Sequence, residues 1–287
     1  MKIVFICTGN TCRSPMAEGY LKSLKLPGIT VLSRGLAANG EGISKNAAAV
    51  MEEAGIDTLN HVSKTLCAED TDADMFICMT KRHAEVLLSA GAPREKVFVM
   101  PREIPDPFGG DVSVYRRCRD AIFAAIDEML FCGAILPITV SAAEFSDAAR
   151  IAELEIQTSS APWSAKAITD SMSANTLFFK AVCGRELIGY IGLSIAADEG
   201  YITNIAVFKE HRSKGTGTLL MLKALGTARE RRLAFVSLEV RPSNEAAINL
   251  YSKLGFKNEG LRRNFYTAPK EDALIMTRRF KDDNTGY

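Results

Sequence analysis

Cys7-Thr8-Gly9-Asn10-Thr11-Cys12-Arg13-Ser14-Pro15 is the stretch on which the fold turns. Before it, Val4-Phe5-Ile6 is a short apolar run of the kind that fills a buried strand. At its end, Ser14 as N-cap and Pro15 at the first helical position signal a helix. The alternation continues downstream. Strands near 29–33, 74–79 and 96–100 are separated by a helix from Ser44 to Ala54 closed by Gly55 and by one ending at Gly91. A last helix carries Val114, Cys118, Ile122, Ile126 and Met129 at helical spacing. Strands joined through helices predict crossover units and a parallel sheet over residues 1 to about 132.

After Cys132-Gly133 the pattern changes to a strand over 135–140, a helix over 147–156, and a strand, turn and strand from 177 to 197 with the turn at Cys183-Gly184-Arg185. A strand ending at Ile205-Ala206-Val207, a helix over 216–231, a strand over 236–240, a helix over 244–254 and a strand around 273–276 complete it. The hairpin makes this second sheet at least partly antiparallel. The expectation is an α/β chain in two domains, 1–132 with a parallel sheet and 134–287 with a mixed one. A length of 287 residues with 47% hydrophobic and 24% charged composition suits two globular domains.

A net charge of +1 argues against a broad basic face for duplex nucleic acid, so no direct nucleic-acid partner is expected. The N-terminus reads as a strand rather than a signal peptide, and no apolar run is long enough to span a bilayer. Seven scattered cysteines suggest free thiols in a reducing cytoplasm. His61, His83 and His211 stand apart from any ligand-spaced Cys or carboxylate cluster, so no metal is expected.

The opening motif has a chemistry of its own. A cysteine at a strand end, five loop residues and an arginine entering a helix suit a phosphate. Loop amides of Thr8, Gly9, Asn10, Thr11 and Cys12 and the helix N-terminus converge on an oxyanion, and Arg13 grips two of its oxygens. The same positive field favours the thiolate of Cys7, whose attack on phosphorus would give a phosphocysteine. Ser14 can hydrogen-bond that sulfur and ease its departure. The leaving group needs an acid, and Asp106 of Asp106-Pro107-Phe108-Gly109-Gly110 lies in a loop after the last strand, at the carboxyl edge where Cys7 lies. Without that context, Cys7 would read as a strand cysteine and Asp106 as a turn residue.

A second site is Arg212-Ser213-Lys214-Gly215-Thr216-Gly217-Thr218, between the strand ending at Val207 and a helix. Small residues let amides approach an anion at the helix start, with Arg212 and Lys214 adding charge, which suits a pyrophosphate.

Residues 1 to about 132 resemble the low-molecular-weight protein tyrosine phosphatase family, whose Cys-x-Gly-Asn-x-Cys-Arg-Ser-Pro signature is met from Cys7 to Pro15 and whose acid loop is met at Asp106-Pro107. That resemblance implies Cys7 as nucleophile, Arg13 as phosphate binder, Asp106 as general acid, Asn10 as a loop-shaping residue and Cys12 as a second cysteine able to bridge to Cys7 under oxidation; simple packing is the other reading of Cys12. Thr11 and Phe108-Gly109-Gly110 resemble the protein-arginine phosphatase branch, in which a hydroxyl can bond a guanidinium N–H that an aliphatic side chain would leave unpaired. Arsenate reductases share the Cys-x5-Arg loop, but their resolving cysteine pair is not where Cys67 and Cys78 stand, and Cys78 reads as a buried strand cysteine.

Residues 134 to 280 resemble the GNAT acetyltransferase superfamily, whose acetyl-CoA loop Gln/Arg-x-x-Gly-x-Gly/Ala is met from Arg212 to Gly217. Ala161-Pro162-Trp163-Ser164, Asn204 to Val207, Leu238-Glu239-Val240-Arg241-Pro242-Ser243-Asn244, Ala247 to Phe256, Arg262 to Tyr266 and Glu271 to Met276 look like the RimI-type ribosomal-protein alanine N-acetyltransferases. The resemblance implies Glu239 as the base, through water, for an α-ammonium whose ordinary pKa of about 7.7 to 8.0 makes the demand modest. It implies Tyr251 as the acid for the departing thiolate and the backbone of Ile205, Ala206 and Val207 as the aligning element for acetyl-CoA. Asn244 reads equally as a cofactor contact or a helix cap. Trp163 and Tyr266 read as groove or core. The expected partners are a phosphorylated protein and the N-terminus of a small-subunit ribosomal protein. A tyrosine-specific phosphatase with a broader acetyltransferase, and a non-catalytic phosphate-binding module guiding the acetyltransferase, remain open from the residues alone.

Overall fold

The computed structural model describes residues 1–174 and 176–280; the last seven residues of the second predicted domain, 281–287, lie outside the described residues. The chain divides into two compact units, Met1–Met129 and one beginning at Leu130.

In the first unit, β1 (Lys2–Cys7), β2 (Thr30–Gly35), β3 (Met75–Cys78) and β4 (Val97–Val99) form a parallel sheet in the order β2-β1-β3-β4. Ile3 to Ile6 are fully buried, as expected of a strand covered on both faces. Helices α1 (Arg13–Ser23), α2 (Lys45–Glu53) and α3 (Lys81–Ser89) supply the crossovers, and α4 (Val112–Phe131) follows the last strand. The chain leaves β1 for β2 on one side and later returns to β3 on the other, so a topological switch point lies between β1 and β3. Because every strand points the same way, the segments following Cys7, Cys78 and Val99 emerge at one edge.

One start signal was misread. Helix α1 begins at Arg13 with Cys12 as N-cap and no side-chain cap bond, not with Ser14 as N-cap. The Ser14 hydroxyl faces the loop, where it meets Cys7 and Asn10, and is unavailable for capping. Ser44 does cap α2, accepting from Ala47 N–H, and Gly55 follows that helix at φ +74°.

The second unit is a seven-stranded sheet in the order β10-β11-β9-β8-β7-β6-β5. Its strands are β5 (Thr139–Ala142), β6 (Thr176–Cys183), β7 (Glu186–Ala196), β8 (Glu199–Val207), β9 (Phe235–Val240), β10 (Lys257–Thr267) and β11 (Lys270–Arg279). All neighbours are antiparallel except β8 and β9. Helices are α5 (Ala148–Thr158), α6 (Ala165–Ser173), α7 (Thr216–Glu230) and α8 (Glu245–Lys253). The sequence reading omitted α6 and β10 and began β5 four residues early. Ile135 and Ile138 are buried, so their apolar signal reports packing ahead of the strand rather than the strand itself.

The parallel pair positions the second site. Strand β8 is registered against β9 only from Glu199↔Phe235 to Ile202↔Leu238, although the strands run on to Val207 and Val240. On its other side β8 is irregular at the same point, Gly192 facing Asn204 and Leu193 facing Ile202, which leaves Thr203 as a bulged residue. The strands therefore diverge beyond Ile202.

Candidate active sites

At the edge of the first sheet, residues 7–13 curl around the end of β1. Asn10 sits at φ +54°, a region that asparagine tolerates better than most residues, and its buried side chain fixes the loop. Its Nδ2 donates to Ser14 Oγ and to Ser33 Oγ at 2.9 Å each, and its Oδ1 accepts from Lys64 N–H at 2.9 Å. His61 Nε2 lies 2.7 Å from the Asn10 carbonyl oxygen. The fold also demands a small residue opposite: a Cβ on Gly35 would stand 2.7 Å from the Thr8 carbonyl oxygen.

Within this loop Cys7 Sγ is buried, 3.0 Å from Ser14 Oγ, with Asn10 N–H donating to it at 3.3 Å. Arg13 is buried too. One of its terminal nitrogens donates to the Ile104 carbonyl oxygen at 3.2 Å and the other pairs with Asp106 Oδ2 at 2.5 Å. The Asp106 side chain is about half exposed and its second oxygen accepts from Phe108 N–H at 3.2 Å. The chain then turns through Gly109 at φ +80°, and Phe108 projects into solvent. Cys7, Arg13, Ser14 and Asp106, separated by up to 99 positions in sequence, are thus gathered at one edge.

Thr11 is half-buried, its hydroxyl 3.7 Å from Cys12 Sγ. Cys12 lies between Ser44 Oγ at 3.2 Å and Tyr115 Oη at 3.4 Å, and its thiol is free. Cys78 is buried in β3, and burial pushes its thiol up to about 12, which suits an inert core residue.

His83 was not assigned a role in the sequence reading. Its ring joins Thr80 Oγ1, at 2.7 Å from Nδ1, to Thr8 Oγ1, at 3.0 Å from Nε2. Burial, and after it the Arg13 guanidinium, draws the imidazole below its ordinary value despite the opposing influence of Asp106. Only the fold brings position 83 to position 8.

In the second unit, a single 3-10 turn (Lys209–His211) leads into residues 212–218. Arg212 Nε donates to the Val207 carbonyl oxygen at 2.9 Å, and Ser213 and Gly215 take φ +57° and +90°. Gly215 is the N-cap of α7, and Leu219 N–H reaches back to its carbonyl at 3.0 Å. The amides of Thr216, Gly217 and Thr218 precede the first in-helix bond and point out of the helix end, as an anion site requires. Gly217 keeps α7 close to α8, since a Cβ there would lie 3.3 Å from Leu250 Cδ2. Ser213 and Lys214 are exposed beside them. Ile205, Ala206 and Val207 occupy the part of β8 that has left β9, so their backbone borders the gap. Diverging strands beside an open helix start fit a long amide-bearing arm that ends in a pyrophosphate, as the pantetheine arm of acetyl-CoA does.

Glu239 projects from β9 opposite Ile275, and Arg262 of β10 donates to its Oε1 at 3.0 Å. Tyr251 is buried against Phe256, and burial holds its phenol well above the ordinary value. Asn244 Oδ1 accepts from Ala247 N–H at 3.2 Å and so caps α8. Trp163 packs against the α5–α6 core, and Tyr266 is half-buried under Arg241, whose guanidinium carbon lies 3.9 Å from the ring centre.

Sequence reading also missed Glu155, a buried carboxylate on the apolar face of α5. It accepts from Tyr190 Oη at 2.6 Å and Trp163 N–H at 3.1 Å, with Asn204 Nδ2 at 3.4 Å from both oxygens. His211 needs a correction as well. Folding of the β6–β7 hairpin brings Glu186 to Glu210 and His211, with ligand atoms within 4.8 Å of one another. The group is surface-lying and Glu186 already pairs with Arg150 at 3.1 Å, so it reads as an ion-pair network.

Residues 2–136 match the low molecular weight phosphotyrosine protein phosphatase family and residues 146–256 the acetyltransferase (GNAT) family. The protein-arginine-phosphatase of Geobacillus stearothermophilus is 38% identical over 138 residues, covering 45% of this chain and 93% of the relative. The low molecular weight protein-tyrosine-phosphatase PtpB of Staphylococcus epidermidis is 36% identical over 138 residues, covering 46% of this chain and 98% of the relative. The ribosomal protein bS18-alanine N-acetyltransferase of Escherichia coli is 33% identical over 140 residues, covering 48% of this chain and 95% of the relative. Among the described residues, no helix is long and apolar enough to cross a membrane.

Proposed function

Because this chain belongs to the low molecular weight phosphotyrosine protein phosphatase family through residues 2–136 and to the GNAT acetyltransferase family through residues 146–256, both families of enzymes, we propose that it is a cytoplasmic protein-arginine phosphatase joined to an N-terminal alanine acetyltransferase for a small-subunit ribosomal protein. The functional boundary is drawn at 132–134.

In the phosphatase, Cys7 attacks phosphorus as a thiolate while Arg13 and the loop amides hold the phosphoryl oxygens. The phosphorus–nitrogen bond of phosphoarginine breaks as Asp106 gives its proton to the leaving guanidine, and a phosphocysteine remains. Asp106, now a carboxylate, takes a proton from water, whose oxygen attacks phosphorus. The sulfur leaves as thiolate, steadied by the Ser14 hydroxyl and the Asn10 amide. Asp106 starts as the carboxylate partner of Arg13; the incoming phosphoryl group takes over the guanidinium, and the released carboxylate takes from the solvent the proton that it then hands to the leaving group. This contact, one residue from the Ser14 hydroxyl that meets the Cys7 sulfur, is the observation that carries the phosphatase reading.

Phosphoarginine is favoured over phosphotyrosine by the Thr11 hydroxyl, whose one hydrogen bond among the described residues is a long one to Cys12 Sγ, so that it can meet a guanidinium N–H. Identity does not separate the two substrates, since relatives named for each stand at 38% and 36%.

In the acetyltransferase, residues 212–218 would hold the pyrophosphate of acetyl-CoA and Ile205 to Val207 its amide-bearing arm. Bound there, acetyl-CoA supplies an activated acyl group. Glu239 takes the proton of the α-ammonium through water, the backbone amides of Ile205 to Val207 polarise the carbonyl, and Tyr251 holds the proton destined for the sulfur.

The test is phosphate release by the full chain from phosphoarginine and from a phosphotyrosine peptide, with Cys7→Ser as blank and Thr11→Ile as second variant. A preference for phosphoarginine that Thr11→Ile erases is expected. A preference for phosphotyrosine unchanged by Thr11→Ile returns the first domain to tyrosine phosphatases, and release from neither substrate leaves a phosphate-binding module.

A further inference from the structure

Arg241 lies two residues beyond Glu239, just past the end of β9 at Val240. Its guanidinium lies across Tyr266, and Glu239, Arg241 and Glu271 all act electrostatically on the Tyr266 phenol. The contacts of Arg241 reach in two directions. One terminal nitrogen donates to the Pro269 carbonyl oxygen at 3.0 Å and to Glu271 Oε2 at 3.2 Å. The other donates to the Ala268 carbonyl oxygen at 3.1 Å and to Ser160 Oγ at 3.3 Å. Ala268 and Pro269 form the turn between β10 and β11, whereas Ser160 lies between α5 and α6, three residues before Trp163.

Four acceptors for two NH2 groups use every terminal N–H of the guanidinium. Glu271 is itself held, accepting from Ser243 N–H at 2.8 Å and Ser243 Oγ at 2.9 Å, which fixes the far end of the network to the start of α8. The α5–α6 loop is anchored on its inner side, where Trp163 N–H meets Glu155. Two segments distant in sequence are therefore pinned to one planar group beside the carboxylate assigned as base. Among the described residues, no other hydrogen bond joins the two segments.

We propose that Arg241 is a positioning residue that clasps the α5–α6 loop to the β10–β11 turn, and that these two segments are the walls of the groove receiving the acceptor peptide's N-terminus. This rests on the acetyltransferase reading. The clasp sets how far apart the walls stand, and hence admits a small first residue next to Glu239. A lysine at this position keeps the charge but not the fork, and cannot hold both walls.

The test compares the full chain with Arg241→Lys and, as a milder variant, Ser160→Ala. Acetyl transfer to an alanine-terminated peptide is followed together with hydrogen exchange of residues 159–164 and 267–271. For Arg241→Lys, the expected result is a rise of about tenfold or more in the peptide KM, with kcat and the acetyl-CoA KM within about twofold. Exchange should quicken in both segments at once, and peptides with larger first residues should lose less than the alanine peptide. Ser160→Ala should move the same parameters in the same direction, less far. Unchanged peptide KM, faster exchange in one segment only, or parallel losses in kcat, both KM values and thermal stability would overturn the clasp. Failure of the wild-type chain to acetylate any peptide while still binding acetyl-CoA would instead remove the acetyltransferase reading, and the exchange measurement would still decide whether Arg241 ties the segments.

Discussion

Asn10→Ala is the substitution whose cost can be worked most directly from the phosphatase loop. The side chain makes three hydrogen bonds, to Ser14, Ser33 and the Lys64 amide, each contributing about 1 kcal/mol net. Alanine must also adopt φ +54°, which adds about 1 kcal/mol for a residue with no polar side chain to compensate. Together the loss is about 4 kcal/mol, and for a unit of this size that lowers its transition by about 15 °C. The assay is calorimetry of the full chain. Two units need not melt as one, and acetyl-CoA identifies the transition of the second by shifting it upward. Phosphate release should fall with the first transition, because the Asn10 amide would no longer be held toward Cys7 Sγ. A first transition displaced by less than about 5 °C would refute the reasoning, showing that water replaces these bonds without penalty.

Two further outcomes are expected. Asp106→Asn should reduce kcat about 100-fold to 10,000-fold on phenyl phosphate and much less on p-nitrophenyl phosphate, whose leaving group needs little protonation; equal losses on both would argue against Asp106 as the acid. His83 titrates below its ordinary value in the folded chain, so the unfolded chain takes up the proton first as pH falls, and stability declines below about pH 6.5. Unfolding of wild type and His83→Gln across pH 5 to 8, which needs about half-unit steps to resolve the slope, should show that decline reduced in the variant; identical slopes would exclude His83 as its source.

Much of the first site is legible in the sequence because its chemistry is local. Cys7 to Ser14 is one turn of chain, and the neighbouring strand and helix signals dictate how that turn is held. Asp106 is readable for a different reason, since a parallel sheet delivers all its strand ends to one edge. His83 and Gly35 are not readable, for their importance lies in what they touch across the sheet, a hydroxyl in one case and a carbonyl oxygen in the other. In the second unit Arg212 to Thr218 announces itself through glycines at a helix start. Glu155 does not, because an acidic residue in an amphipathic helix ordinarily faces water, and nothing local tells that Tyr190, Trp163 and Asn204 will surround it. Ser14 was misjudged as a cap because its alternative partner, the Cys7 sulfur, is created by the loop itself.

The parting of β8 and β9 has a consequence beyond making room. An open sheet normally has two edges, and each invites another strand. This sheet has two more, facing each other in its interior, where β8 beyond Ile202 and β9 beyond Leu238 keep backbone groups that find no partner across the gap. Because both lie inside one sheet, a foreign strand cannot approach them side-on as it could an outer edge. A slender chain bearing its own amides can enter, and would act for a few residues as the missing partner. The same opening that exposes the backbone thus screens what may complete it, by width before chemistry.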